Sequence, residues 1–295
     1  MSFSREKKLK WFDQGSESLV RFGGPLRELR GRPEQATYVC PICVRPFLRG
    51  SVDTGELTVE HVPPAAFAGR ELVLTCKTCN NDGGSRLDAH ARRMEDVVDA
   101  MNGRLDRTQK VKIAVGDLVM NGRFNSSEGS VTIPESINRP GASALLREIL
   151  HKGEGISLEY SGDRFAELGA RISWVRSGYL LLFAVLGYSI VADPALDIVR
   201  RQILEPDNAL SRTFLINLPG PPPWSERRLA KIIEPPSRAG WMVQIGPFGT
   251  LFPQCGDMAF YERISKLAGS ATGPMRCEAY EWPTEPLFGL DFPTQ

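Results

Sequence analysis

The sequence predicts an α+β protein that has a small metal-stabilised finger in its first third and a larger α+β domain after it. Three observations indicate this fold class. Two Cys-x2-Cys pairs enclose two short runs of β-forming residues, and a long run of helix-forming residues follows the second pair. The remaining chain alternates helical stretches with β-type runs, which is typical of α+β domains.

The cysteines of the two pairs have the spacing of a zinc site. A tight turn within each pair points both sulfurs the same way, so the pairs together predict one tetrahedral zinc held by Cys40, Cys43, Cys76 and Cys79. Four sulfur ligands leave no coordination position for water, and the predicted zinc is therefore structural. A redox-active dithiol and a simple zinc ribbon are the alternatives. The stretch between the pairs is longer than the usual ribbon gap of about 15 to 20 residues, which indicates an insert.

The insert predicts a β-hairpin followed by a helix. Residues 57–64 and 70–75 are rich in β-branched and aliphatic residues, and a loop that contains Ala and Gly separates them. After the second cysteine pair, Asn-Asn-Asp-Gly-Gly predicts a turn, and residues 85–88 have the form of a helix N-terminal capping box. The helix is expected from Ser85 to about Met101.

Taken together, the motifs Cys-Pro-Ile-Cys, Glu-His-Val-Pro-Pro and Leu-Thr-Cys-Lys-Thr-Cys-Asn-Asn resemble those of HNH endonucleases. The chain is most similar to the four-cysteine zinc-binding branch of that His-Me finger superfamily. The resemblance implies a ββα-metal finger in which His61 is the general base, while Glu60 and Asn80 hold one catalytic divalent cation, Mg²⁺ or Mn²⁺. It also implies phosphodiester hydrolysis in bacterial or phage defence or restriction.

Elementary chemistry agrees with these roles. Cleavage of a phosphodiester needs a nucleophile and a positive charge near the leaving oxygen. A histidine side chain, whose unperturbed pKa is about 6.5, can take a proton from water near neutral pH, and oxygen ligands suit a hard cation. Neighbouring residues of a regular strand point to opposite faces, so we predict a distortion or strand end at Glu60 and His61, close to Pro63 and Pro64.

Several assignments stay open at the sequence level. Asn81 or His90 could replace Asn80 as the last metal ligand, and Glu71 stands where many HNH proteins have an asparagine that braces the catalytic loop. A catalytically inactive zinc-stabilised module that binds DNA or protein is the alternative from a different class. Cleavage of RNA by the same site is a third possibility, because the chemistry does not distinguish the sugars.

The overall charge does not by itself indicate a nucleic-acid partner. The formal net charge is +1, whereas most nucleic-acid-binding domains are clearly basic. If DNA is the substrate, the positive charge must be local. We expect Arg86, Arg92 and Arg93 on the predicted helix to contact phosphates without reading sequence.

The sequence divides into three expected segments. Residues 1–36 form a basic, helical N-terminal extension, residues 37–103 the finger nuclease domain, and residues 104–295 an α+β domain of unknown role in DNA binding, dimerisation or ligand sensing. A homodimer is the default expectation, since two chains place two sites on two strands. A regulatory ligand or partner protein is also possible.

Within the third segment, the sequence predicts a β-meander over about 110–133 and helices over 142–150, 172–188 and 195–204. The apolar run 179–191 is interpreted as a core helix rather than a membrane span. The charged N-terminus lacks a secretory signal, which predicts a cytoplasmic protein with reduced thiols. Cys255 and Cys277 are expected to be ordinary buried thiols.

Overall fold

The computed structural model describes residues 5–29, 35–101, 108–115, 118–125, 128–134, 138, 140–151, 157–160, 166–208, 215–217, 226–267 and 275–290. The chain forms two compact units: residues 1–89 with 168–295, and residues 90–167. This division differs from the expected segments, because the last third of the chain belongs with the cysteine finger.

The first helix, α1 (Arg5–Phe22), packs against a short hairpin of β1 (Thr37–Val39) and β2 (Pro46–Leu48). Phe12 on α1 lies 5.9 Å from the Tyr38 ring, centroid to centroid. Gly15 allows this approach, since a Cβ there would lie 2.4 Å from the Tyr38 ring. Helix α1 is therefore part of the core around the first cysteine pair rather than an appendage.

A second hairpin and a helix follow in the order that the sequence predicts. Strands β3 (Leu57–Val62) and β4 (Arg70–Cys76) pair antiparallel, and α2 (Lys77–Gly83) begins directly after β4. A π-helical segment at Gly84–Asp88 connects α2 to α3 (Ala89–Met101). The prediction of a turn before Ser85 is wrong. Cys76 caps the helix instead, its Sγ accepting a hydrogen bond from the Cys79 amide, so the helix begins at Lys77.

The smaller unit is an antiparallel sheet with one helix. Its strands are β5 (Thr108–Val115), β6 (Leu118–Asn125), β7 (Ser130–Thr132) and β8 (Ser157–Tyr160), in the spatial order β7-β6-β5-β8. Helix α4 (Ala142–His151) follows β7 in the chain. Alternate residues of β5 and β6 are buried around Val111, Ile113 and Met120, as expected for a sheet covered on one face. The predicted meander and the predicted helix at 142–150 are confirmed.

Helix α5 (Glu167–Leu186) is the central element of the larger unit. Its residues from 172 to 185 are all buried, so it has no solvent-facing stripe. The helix ends at Gly187, whose φ of 65° is costly for other residues, and α6 (Tyr188–Val191) and α7 (Asp197–Leu204) follow. The helices predicted over 172–188 and 195–204 correspond to α5 and α7. Among the described residues, no helix is long and apolar enough to cross a membrane.

The remaining elements form a five-stranded antiparallel sheet. Its strands are β9 (Leu215–Asn217), β10 (Arg227–Glu234), β11 (Gly240–Ile245), β12 (Phe248–Phe252) and β13 (Arg276–Tyr280), in the order β13-β10-β11-β12-β9. Helix α8 (Phe260–Leu267) packs its buried Phe260 against this sheet. On the side of α5, Trp174 stacks on Phe248 with 5.4 Å between centroids.

The two cysteines outside the finger are exposed, so the expectation of buried thiols is wrong. Cys255 lies in the loop after β12, and Cys277 lies on the edge strand β13, where the sheet faces solvent.

Two tyrosines join α5 and α6 to the first cysteine loop. Tyr179 Oη donates to the Pro41 carbonyl at 2.8 Å. Tyr188 Oη accepts from the Val39 amide at 2.7 Å and donates to the Val39 carbonyl at 2.5 Å. Both side chains are fully buried, so water cannot replace these bonds.

We predict that Tyr188→Phe lowers the free energy of unfolding by about 1–3 kcal/mol, because a buried backbone amide and carbonyl lose their partner. Tyr280→Phe on the edge strand is the matched control, with an expected change within about 0.5 kcal/mol. Urea unfolding followed by tryptophan fluorescence measures both. Equal effects of the two substitutions would contradict the structural role of Tyr188.

Candidate functional site

The four cysteines of the finger form one cluster. Cys40 and Cys43 lie in the turn between β1 and β2, Cys76 ends β4, and Cys79 lies in α2. All four Sγ atoms lie within 4.8 Å of one another. The turn is tight, since the Val44 amide donates to the Cys40 carbonyl at 2.9 Å. The donor set and spacing fit a structural zinc ion, in agreement with the sequence prediction.

Hydrogen bonds favour the thiolate form at two of the four cysteines. Arg45 donates to the Sγ atoms of Cys43 at 3.4 Å and of Cys76 at 3.3 Å. Hydrogen bonds from the neighbouring cysteines, Cys40 first among them, hold the pKa of Cys43 well below its usual range and lower the pKa of Cys76 to about 6. Burial raises the pKa of Cys40, and hydrogen bonds from the other three cysteines raise the pKa of Cys79. The contacts therefore favour the zinc-binding thiolate form at Cys43 and Cys76, and zinc has to displace the protons of the other two thiols.

The predicted distortion at His61 is present. Along the hairpin, Glu60 pairs with Val73 while His61 pairs with Glu71, so Leu72 of β4 is an extra residue in a β-bulge. The bulge coincides with a change of environment. Glu60 is 4% exposed, whereas the neighbouring His61 is only half-buried. A bulge re-aims side chains and is common next to active sites.

Glu60 is held by an arginine from α5. Arg176 donates through Nη2 to Glu60 Oε2 and through Nη1 to Asp88 Oδ2, the second contact at 3.2 Å. Thr75 and Ser173 donate to the two carboxylates at 3.4 Å and 2.6 Å respectively. Burial raises the pKa of Glu60 to about 7 even though Arg176 lowers it, because one guanidinium serves two buried carboxylates.

Gly83 makes room for this ion pair. A Cβ at position 83 would lie 2.4 Å from Arg176 Cζ, so the guanidinium rests against the helix backbone. Gly83, which the sequence predicts in a turn, therefore lies inside a helix, where the absence of a side chain leaves room for the guanidinium. The sequence carried one signal for the pair: an arginine within an apolar helix is rarely buried unless it has an acidic partner.

The other predicted ligands have different surroundings. Asn80 Nδ2 donates to Thr58 Oγ1 and to the Val59 carbonyl, both at 2.9 Å, and so ties α2 to β3. Asn81 is exposed. His90 belongs to the smaller unit, where its Nδ1 accepts from the Ala166 amide at 3.1 Å.

This arrangement does not fit a catalytic divalent cation on Glu60. The positive charge beside the carboxylate is already supplied by Arg176. A second cation next to the guanidinium would meet strong repulsion in a site with little water. As placed here, Glu60 is an ion-pair partner rather than a metal ligand.

Two of the three arginines that we expected to contact phosphates form ion pairs with carboxylates. Arg86 pairs with Asp207 at 3.0 Å. Arg92 pairs with Glu95 at 3.1 Å and with Asp96 at 3.2 Å. Arg93 is exposed and also has an interaction partner. Such pairing reduces the charge that Arg86 and Arg92 offer to phosphates.

Comparisons with protein-family models, with curated proteins and with solved structures find no match for this chain. Its function therefore has to be inferred from the chemistry of the site.

We predict one zinc ion per chain in the purified protein. Cys76→Ser should lower the zinc content to near zero and destabilise the fold, because the metal joins the first hairpin to β4 and α2. Cys255→Ser and Cys277→Ser are matched controls that should retain the metal. Elemental analysis with thermal unfolding measures both quantities, and full zinc occupancy in Cys76→Ser would contradict the assignment.

A second prediction concerns pH. The folded state raises the pKa of Glu60 from 4.5 to about 7, so its stabilising effect is complete below pH 4.5 and is lost as pH rises through about 7. Wild type should therefore lose up to about 3 kcal/mol relative to Glu60→Gln over this window. Denaturant unfolding at several pH values tests this, with Glu281→Gln at an exposed position as control. Parallel pH profiles for wild type and Glu60→Gln would refute it.

Proposed function

We propose that this protein is an endonuclease of the HNH type, which hydrolyses phosphodiester bonds of DNA with His61 as the general base. The β-bulge at His61 is the observation that carries the proposal. It interrupts the hairpin at the residue for which the sequence motif implies a catalytic role, and it separates a half-exposed imidazole from a buried carboxylate.

The surroundings of His61 support this role. The hairpin that carries it ends at Cys76, so the four-cysteine cluster fixes one end of β4. Asn80 fastens the first turn of α2 to β3 two residues before His61. A general base must be held in a defined place to act, and these contacts provide a rigid frame.

In the proposed reaction, His61 takes a proton from water as the water oxygen bonds to phosphorus. The bond from phosphorus to the 3′-oxygen then breaks, and the departing oxygen takes a proton from solvent. The divalent cation that the HNH resemblance implies would supply charge at the phosphate, but no step here is assigned to it, because Arg176 pairs with Glu60.

A non-enzymatic zinc-stabilised module that binds DNA or protein is the second candidate. The buried pair of Arg176 and Glu60 favours it, since this pair neutralises the carboxylate that a nuclease would use for a metal. Cleavage of RNA by the same site is a further alternative to cleavage of DNA. A homodimer would place one site on each of the two strands of a duplex.

Cleavage of supercoiled plasmid tests the proposal. Zinc-loaded wild type, His61→Ala and the control His90→Ala are incubated in Mg²⁺, in Mn²⁺ and in EDTA. We expect wild type and His90→Ala to nick or linearise the plasmid, and His61→Ala to be slower by about 10²-fold or more. Cleavage is also measured for an RNA substrate and for the same RNA without the 2′-hydroxyl at the cleavage site, so that the two sugars can be compared.

The possible outcomes separate the candidates. Cleavage that survives His61→Ala would refute the assigned base. Absence of cleavage by correctly folded, zinc-loaded wild type in every metal would refute the nuclease and favour the binding module. Cleavage in EDTA would show that the positive charge at the phosphate comes from the protein itself.

A further inference from the structure

The loop between β3 and β4 is held in place beside His61. Residues Ala65–Phe67 form a single 3-10 turn, and Gly69 lies so close to Pro63 that a Cβ there would be 1.4 Å from the Pro63 carbonyl oxygen. Phe67 is buried and packs edge-on against Trp174 of α5, with 4.5 Å between ring centroids. The loop is therefore anchored to the core of the larger unit.

Arg227, the first residue of β10, reaches this loop. Its Nη2 donates to the Phe67 carbonyl at 3.0 Å and to the Ala68 carbonyl at 2.7 Å. Its guanidinium also lies over the Trp282 ring, 5.7 Å from the centroid. These contacts fix the direction of the side chain, and because these partners are neutral, its positive charge has no compensation within the part of the chain that the structure describes.

A second arginine adds to this charge. Arg70 is exposed at the start of β4, and its positive charge lowers the pKa of Arg227, although burial of Arg227 lowers it more. By contrast, hydrogen bonds and charges of carboxylate partners raise the pKa values of Arg176 and Arg263, and burial of Arg176 opposes this rise. Among the residues that the structure describes, no ion pair joins Arg70 or Arg227 to a carboxylate.

The hairpin register places Arg70 one position along β4 from the cross-strand partner of the candidate base. Arg70 pairs with Val62, one position along from the pair of His61 and Glu71. Two like charges held close together without an anion oppose folding, and a fixed concentration of positive charge attracts anionic ligands. A guanidinium offers a planar set of donors that matches phosphate oxygens.

We propose that Arg70 and Arg227 form a binding site for the phosphate backbone of a nucleic acid, at the loop end of the hairpin that carries His61. Arg227 is the positioned group, because the loop carbonyls and Trp282 orient it, and Arg70 is the exposed group that meets the incoming strand. The location beside the reacting bond rests on the proposed nuclease function, whereas the phosphate contact itself does not. Such a site concentrates positive charge locally in a chain whose net charge is only +1.

Binding to labelled oligonucleotides tests the site without relying on cleavage. Fluorescence anisotropy is measured for a single-stranded DNA, the corresponding duplex and an RNA of the same sequence, across a series of salt concentrations. All proteins carry His61→Ala, so the probes stay intact. Arg70→Glu and Arg227→Gln are compared with Arg228→Glu, whose native side chain lies next along β10 and pairs with Glu226.

We expect Arg70→Glu to weaken binding by about tenfold and to lower the slope of log affinity against log salt by nearly 1, about 0.9 per lost phosphate contact on duplex DNA. Arg227→Gln should act in the same direction, and Arg228→Glu should change affinity by less than about twofold. Arg70 donates no side-chain hydrogen bond within the described structure, so Arg70→Glu remains informative even if Arg227→Gln unfolds. The most tightly bound probe identifies the preferred nucleic acid.

The outcomes distinguish this proposal from the nuclease. Arginine-dependent binding without plasmid cleavage by wild type would support the phosphate site and refute the nuclease. Cleavage by wild type, together with Arg70→Glu and Arg228→Glu that bind alike, would support the nuclease and overturn the phosphate site. Absence of binding to every probe at low salt would overturn the phosphate site directly.

Discussion

The buried ion pair of Arg176 with Glu60 and Asp88 determines how the larger unit is assembled. Arg176 belongs to α5, Glu60 to the second hairpin, and Asp88 to the helix after the second cysteine pair. Removing one member of such a buried set leaves charge without compensation, which is strongly destabilising. The contact therefore requires that these three parts of the chain fold as one body. It also explains why residues 168–295 group with the cysteine finger.

The same pair bears on the chemistry. An HNH-like finger would use the carboxylate before the histidine to hold a cation, and here that carboxylate faces a guanidinium from a distant part of the chain. The positive charge beside Glu60 therefore comes from a side chain of the protein itself, Arg176, and depends on the position of α5. Arg70 and Arg227, at the loop end of the same hairpin, have no acidic partner among the described residues.

Local sequence patterns predicted the local features well. The four-cysteine cluster, the hairpin, the distortion at Glu60 and His61 and most of the helix predicted over 172–188 all follow from short-range rules. The misses have a common cause. Whether Gly83 turns the chain or lies inside a helix depends on Cys76 as a cap and on Arg176 as a neighbour, and the partner of Glu60 is 116 residues away in the chain. Such contacts depend on tertiary packing and cannot be predicted from the local spacing of residues.

The tyrosine contacts between α5, α6 and the first cysteine loop couple metal occupancy to the far end of the chain. Tyr179 and Tyr188 bond to backbone atoms within or next to the loop that carries Cys40 and Cys43. A ligand that binds only the folded state stabilises it in proportion to the logarithm of its free concentration. Zinc supply would thus govern the lifetime of the whole larger unit against proteolysis, including the distant β10 that positions Arg227. In a zinc-poor setting, the amount of folded protein would be the first quantity to fall.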